Sequence, residues 1–268
     1  MNLQLTRLPD GREIHCVNPY EVDFSVHEIF NDDLGAHGIE LAADGVFLDV
    51  GANIGLFSLH LLDLCPAARV FAYEPMPEAH GALARNLEGR AVALALGLGA
   101  APGTASFSYF PGITALSSCH GAVSEEMARG LRRLLAAAPA DQEVADILDR
   151  TGASARAGES EFIEQLFTSR QVEAPIDTLS NQIRTLGLSR IDLLKIDTEG
   201  AEKEVLAGLA EEDWPLVRQL VVEVHLGEAE TDIMEQQLQA RGYRTSRGRH
   251  PLANGGAAVF HIYARRAI

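Results

Sequence analysis

No run in the 268 residues approaches the roughly 18 consecutive apolar residues that a bilayer-crossing helix needs. The opening MNLQLTRLPDGREIH also lacks a basic flank followed by an apolar stretch, so neither a membrane span nor a signal peptide is expected, and a cytoplasmic address follows. Cysteine is scarce: Cys16, Cys65 and Cys119 are odd in number and widely separated, and they form no CxxC or Cys/His spacing. That pattern excludes a disulfide framework and a structural zinc site and leaves three reduced, structural thiols. Positive charge is in deficit, with a formal net charge of −16. Neutralising phosphates requires surplus Lys and Arg, so nonspecific binding to nucleic acid or anionic lipid is excluded, and a small-molecule or protein-tethered partner fits better. What is abundant is apolar residues, 47% of the chain, enough for the core of one large α/β domain.

Apolar runs alternate with helical patterns from residue 46 onward: VFLDV, GLFSLHLLDL, VFAYEP, EAHGALARNL and VALALG read as β-α-β-α-β. IDLLKID, AEKEVLAGLA, LVVEVH and EAETDIMEQQLQARG continue the alternation. Short strands that are apolar on both faces imply a mostly parallel, doubly wound sheet. GYRTSRG and AAVFHIYARR, joined by RHPLANGG, predict a hairpin closing one sheet edge, with an antiparallel last strand. MARGLRRLLAAA, EVADILDR and EFIEQLFTSR interrupt the pattern as helical pieces. The expected layout is an amino-terminal cap segment over residues 1–44, a core over 45–116 and 172–268, and a helical insertion over 117–171 acting as a lid.

The first core strand runs into Asp49-Val50-Gly51-Ala52-Asn53-Ile54-Gly55. A glycine turn there lets a nucleoside ligand approach the backbone at the carboxyl edge of the sheet. Gly51 is expected to take positive φ and keep the ligand's path clear, Gly55 to let the helix pack closely, and Asn53 to tolerate left-handed geometry while offering hydrogen bonds. Asp49 can balance an ammonium or sulfonium charge but would oppose a pyrophosphate. Glu74 closes the second strand 23 residues after Gly51, where a carboxylate reaches ribose hydroxyls. S-adenosylmethionine (SAM) has the sulfonium and lacks the pyrophosphate. NAD is the rival, disfavoured because position 53 is not the middle glycine of GxGxxG. An ordinary tight turn with a capping Asp49 and a solvated Glu74 is the plain alternative.

Together, VFLDVGANIGLFSL, IDLLKIDTEGAEKEVLAG and VVEVH resemble the FkbM family of SAM-dependent O-methyltransferases over roughly residues 40 to 226. DFSVHEIFNDDLGAHGIEL and the helical insertion are similar, more narrowly, to O-methyltransferase domains of polyketide and mixed polyketide-peptide synthases. The resemblance implies a Rossmann-like methyltransferase fold and SAM as cofactor. The implied acceptor is a hydroxyl or enol oxygen on a natural-product intermediate tethered to a carrier, on a free-standing enzyme or a domain of a larger synthase. Oxygen as the acceptor atom comes from the resemblance alone, since an amine would need the same alignment.

Methyl transfer requires alignment and, for a hydroxyl, a base. His225 ends LVVEVH, on the expected ligand-bearing edge, and is the candidate base; Glu199 in KIDTEGAE is the candidate partner that fixes its tautomer. A histidine merely satisfied at a strand end is the plain alternative. Asp197 is expected beside the methionine end of the cofactor or the acceptor, although acidic residues here also suit a helix amino terminus. Glu223 shares a strand face with His225 and is placed with His37 on the acceptor side. Metal binding by this acidic group stays open as an alternative, but no ligand spacing is recognisable, so no metal is assigned. His27, His60, His80, His120, His250 and His261 occur singly and read as packing or surface residues. Tyr109, Phe110, Pro111 and Gly112, with Thr114, follow the third strand, where an aromatic could face a sulfonium but core packing is the plainer role. Two other classes compete: a nicotinamide-dependent oxidoreductase, and a noncatalytic docking module with a vestigial pocket.

Overall fold

A computed structural model describes residues 3–121, 129, 164–249 and 259–266 of the chain. An antiparallel ribbon, β1 (Gln4–Arg7) and β2 (Glu13–Cys16), leads into helix α1 (Pro19–Asn31). Asn18 caps α1 by accepting the Tyr20 N–H, and Pro19 takes the first-turn position where its missing N–H costs nothing. The core then alternates as expected: β3 (Val46–Val50), α2 (Leu56–Leu64), β4 (Arg69–Tyr73), α3 (Pro77–Asn86) and β5 (Val92–Leu94). Two further strands, β6 (Gly97–Leu98) and β7 (Gly103–Tyr109), precede the insertion. Beyond it come β8 (Arg170–Asp177), α4 (Leu179–Leu186), β9 (Leu193–Ile196), α5 (Glu202–Ala207), β10 (Gln219–Val224), α6 (Glu228–Ala240), β11 (Tyr243–Arg249) and β12 (Phe260–Arg266).

Seven strands form the main sheet in the order β11-β12-β10-β9-β3-β4-β5. β3, β4, β5, β9 and β10 pair in parallel, and β12 is antiparallel to both its neighbours. The last strand is therefore antiparallel, as read from the sequence, and it inserts between β10 and β11, so that β11 forms the edge. All five residues of β3 are buried, because the strand is covered on both faces. Phe47 packs into one apolar cluster with Val22 and Val26 of α1, Leu61 and Leu62 of α2, and Leu83 of α3. Val46, Leu48 and Val50 point the other way, to Ile183 of α4, Val205 of α5 and Leu238 of α6. Period-two alternation of two apolar sets yields a helix–sheet–helix sandwich.

A second, three-stranded sheet, β6-β8-β7, stands beside the carboxyl edge. Its β8 was not flagged by hydrophobic pattern, because of its eight residues only Ala174 is fully buried. β8 begins at Arg170, within the stretch read as insertion, and pairs with β7 in register Ser108↔Gln171 and Tyr109↔Arg170. The helical pieces MARGLRRLLAAA and EVADILDR lie almost wholly outside the described residues, as does the loop RHPLANGG. No described helix is long and apolar enough to cross a membrane.

Chain order runs outward from β3 through β4 to β5, then returns to the other flank of β3 with β9. The loops leaving β3 and β9 consequently diverge, and the crevice between them is where open α/β sheets accept ligands.

Candidate active site

The turn after β3 alternates its handedness. Gly51, Asn53 and Gly55 take φ of +80°, +50° and +92°, so every second residue lies in the left-handed region. The N–H groups of Gly51 and Ala52 both reach the Tyr73 carbonyl, which fastens the turn to the end of β4. A Cβ on Gly51 would stand 1.7 Å from the Asp197 carbonyl oxygen. The neighbouring loop leaving β9 thus demands the glycine, which also lines the cavity above it. A Cβ on Gly55 would meet Leu83 at 2.7 Å, so this glycine admits α3 against the start of α2.

A cavity opens over this turn. Its lining includes Val50, Gly51, Asn53, Glu74, Asp197 and Glu199 together with Tyr73, Met76, Phe107, Thr114, Cys119 and Thr198. Glu74 is its most constrained polar group. One carboxylate oxygen accepts the Asn53 N–H at 2.9 Å and the other the Met76 N–H at 2.7 Å, which leaves further lone pairs for hydroxyl donors. Burial pushes its pKa up to about 7, against the pull of those two N–H groups and of Lys195.

Asn53 is held from above as well. Its Oδ1 accepts the Thr114 hydroxyl at 2.8 Å, and the same Oγ1 lies 2.8 Å from Glu21 Oε1. A hydroxyl has one proton, so the chain of contacts is complete when the Glu21 carboxyl donates to Thr114. Burial raises the Glu21 pKa to about 7, which is compatible with a protonated acid there. Helix α1 is thereby locked to the cavity rim. Tyr109 does not face the cavity: it is fully buried, with the Arg170 guanidinium 5.3 Å from its ring centre.

Asp49 lies behind the cavity, fully buried. It accepts the Ser58 hydroxyl at 2.7 Å and sits 3.5 Å from Lys195 Nζ. Lys195, in the otherwise apolar β9, also reaches Asp197 Oδ2 at 2.9 Å. Burial opposes the ammonium charge, but Asp197 and Asp49 outweigh it and hold the lysine pKa above its ordinary value. Asp197 is moved up by burial, with Lys195 opposing.

The loop leaving β9 carries Glu199 in the left-handed region at φ +53°, a conformation uncommon for a side chain other than Asn or Asp. Its carbonyl accepts the Ser118 hydroxyl. Behind it, His225 at the end of β10 is almost completely enclosed by carboxylates. Nδ1 is 3.0 Å from Glu202 Oε1, and Nε2 is 3.3 Å from Glu199 Oε2 and 3.4 Å from Glu223 Oε1. Burial alone would lower the His225 pKa, yet Glu199, Glu202 and Glu223 together hold it well above the ordinary value. Burial would raise Glu202, but the imidazole and the Gly200 N–H keep it below its ordinary value. Glu199 is pushed well up by burial, and His225 opposes.

Glu223 continues the network, its Oε2 standing 3.3 Å from His261 Nε2. His261 Nδ1 lies 3.1 Å from the Tyr263 hydroxyl, which donates to Asp32 at 2.7 Å. His37 is one ring further out: it stacks on Tyr263 with centroids 3.9 Å apart, and its Nδ1 is 2.7 Å from the Ser246 hydroxyl.

Of the residues singled out by sequence, Gly51, Asn53, Glu74, Asp197 and Glu199 line the cavity, whereas Asp49, Gly55, Glu223, His225 and His37 stand behind it. Glu199, Glu223 and His225 are brought together as a cluster, and His37 is not part of it. Sequence reasoning did not single out Lys195, Glu202, Glu21, Glu28 or His261. Signals existed for some of them. Lys195 is the one charge inside an apolar strand, Glu202 follows Glu199 at helical spacing, and Glu21 and Glu28 are two turns apart on one face of α1.

The family model described as Methyltransferase FkbM domain matches residues 49–245. The 31-O-demethyl-FK506 methyltransferase FkbM of Streptomyces tacrolimicus is 32% identical over 274 residues, covering 98% of this chain and 97% of that protein. Methyltransferase sdnD of Sordaria araneosa is 32% identical over 256 residues, 90% of this chain and 89% of its own. The AMB antimetabolite synthetase AmbE of Pseudomonas aeruginosa is 33% identical over 269 residues, which make up 97% of this chain but 12% of that protein. With its Rossmann-like sheet and its cavity at the β3–β9 switch point, the chain belongs to the FkbM methyltransferase family.

Proposed function

We propose that the protein is a SAM-dependent O-methyltransferase acting on a hydroxyl or enol oxygen of a natural-product intermediate, of the carrier-tethered polyketide type. The observation that carries the cofactor assignment is Glu74: a buried carboxylate at the end of β4, oriented by two backbone N–H groups and open to the cavity beside the Gly51–Gly55 turn. Those features fit a nucleoside whose sugar hydroxyls donate to Glu74. When bound, SAM supplies a methyl group on a positively charged sulfur. Asp197, ion-paired with Lys195, and Glu199 line that side of the cavity with the carboxyl oxygens a sulfonium would face.

Catalysis by this chain then consists of positioning and proton removal. The Glu199–His225 pair accepts the acceptor's proton, with Glu199 as the member facing the cavity and the imidazole 3.3 Å behind it. Glu202 fixes the ring through Nδ1, which sets the tautomer and orientation. Oxygen as the acceptor atom is supported by the name of the Streptomyces tacrolimicus relative, and a synthase setting by that of the Pseudomonas aeruginosa one. The matching family is one of methyltransferases, which leaves the nicotinamide alternative without support.

Titration calorimetry with SAM and S-adenosylhomocysteine tests the cofactor assignment, and heat from neither ligand would end it. Mass spectrometry of free and carrier-bound hydroxy, enol and amino acceptors tests the rest. Methylation confined to nitrogen would overturn the oxygen assignment while leaving the cofactor in place.

A further inference from the structure

The carboxylate-walled histidine suggests more than a proton acceptor. Asp197, Glu223 and His225 come from the ends of two adjacent strands, β9 and β10, and each offers one ligand atom within 4.8 Å of the others. From these residues we infer that the cluster is a binding site for a divalent first-row transition ion.

Two independent features of the cluster point to a cation. The first is the ring itself. His225 is 1% exposed, its Nδ1 is taken by Glu202, and its Nε2 makes no hydrogen bond although it points between the carboxylates of Glu199 and Glu223. A metal-ligating imidazole has this arrangement, with one nitrogen fixed by a carboxylate so that the other presents its lone pair. Glu202 is itself anchored by the Gly200 N–H at 2.8 Å, so the orienting carboxylate is held in turn. The second is charge. Asp49, Asp197, Glu199, Glu202, Glu223 and Glu28 gather around one lysine, Lys195, and two imidazoles, His225 and His261. More carboxyl groups than basic groups thus face one another in a largely buried space, which a bound cation would balance.

The donor set selects the kind of ion. Divalent metals bond nitrogen and oxygen at about 2.0–2.2 Å, so donors around one ion stand up to about 4.4 Å apart, a separation compatible with three donor atoms that all lie within 4.8 Å of one another. One imidazole with two carboxylates suits Mn²⁺, Fe²⁺ or Zn²⁺, whereas Mg²⁺ and Ca²⁺ favour all-oxygen sets. Lys195 holds Asp197 Oδ2, so Oδ1 is the oxygen left for the ion. Because Asp197 lines the cavity beside Glu199, the proposed proton acceptor, the cation would stand near the acceptor oxygen and offset the negative charge left as the proton departs. This catalytic role rests on the methyltransferase reading; the existence of the site does not.

Mn²⁺ is the probe. Chelator-treated full-length protein is titrated with Mn²⁺ while the electron paramagnetic resonance signal of the free hydrated ion is followed. One saturable site per chain is expected, with imidazole nitrogen coupling in the pulsed spectrum of the bound ion. Glu223→Gln and Asp197→Asn should abolish saturation, and Glu202→Gln should weaken binding about 10- to 100-fold. Circular dichroism checks that each variant is folded, and SAM calorimetry does so in addition for Glu223→Gln and Glu202→Gln. The inference fails if the wild type shows no saturable site, if Glu223→Gln binds as well as wild type, or if the bound ion shows no nitrogen coupling. Loss of SAM binding with Mn²⁺ binding intact would instead remove the methyltransferase reading and leave the cation site standing.

Discussion

Glu74 and His225 should respond to pH and substitution in different ways, because the proposed function gives one to the cofactor and the other to the acceptor's proton. An ionised carboxylate accepts from hydroxyls more strongly than a protonated one. With its pKa up at about 7, Glu74 should therefore let SAM affinity rise as pH increases through neutrality. Hydrogen bonds to charged groups are worth about 1.5–3 kcal/mol, so Glu74→Gln should weaken SAM binding by roughly 10- to 100-fold and flatten that pH dependence. Calorimetry between pH 6 and 8.5 checks both effects, and a variant with the wild-type slope would exclude Glu74 as its source. His225→Ala should lower the methylation rate by about 100-fold or more with SAM affinity within a few-fold of wild type. Rate and affinity measured on one preparation separate these outcomes. Glu74 was legible from its place at a strand end, and so was His225. Glu202 was not, because its value lies in reaching the far nitrogen of a ring 23 residues away.

At the scale of elements, the hairpin of β7 and β8 determines how the insertion can be cut. Ser108 bridges Ser118 on one side and pairs with Gln171 on the other, so the two ends of the insertion flank a single residue. A short linker replacing residues 120–168 should therefore preserve the fold and SAM binding but abolish turnover, if the insertion is a lid over the acceptor. Unchanged turnover would discard the lid. The β-α-β alternation was readable because strands buried on both faces carry nearly continuous apolar runs, as VFLDV does apart from Asp49. β8 escaped notice because, although it is the middle strand of its small sheet, only one of its residues is fully buried, and such a strand carries no hydrophobic period.

At the scale of the whole molecule, the buried acids make stability depend on pH. Glu21 and Glu74 both have pKa values raised to about 7 by burial. A raised carboxyl binds its proton more tightly in the folded state, so its contribution is complete below the unfolded value near 4.5 and is lost as pH rises through about 7. The ligand-free protein should consequently lose thermal stability between pH 5 and 7.5, and Glu21→Gln should reduce that loss. Scanning calorimetry of both proteins across this range is the check, and an equal slope would mean that other groups carry it.

By itself the sequence determined the strand and helix order, the glycine turn and the two carboxylates at strand ends, because these follow from local periodicity and from backbone angles that few residues tolerate. Only the tertiary structure decided that Gly51 yields to the Asp197 carbonyl, that Asp49 is neutralised by Lys195, and that β12 enters between β10 and β11. It also decided that α1 brings Glu21 to Thr114 at the cavity rim and Glu28 to Glu223 and His261, and that three glutamates surround one imidazole. Contacts across the sheet and between loops have no period along the chain, so they come into being only when the strands are laid side by side.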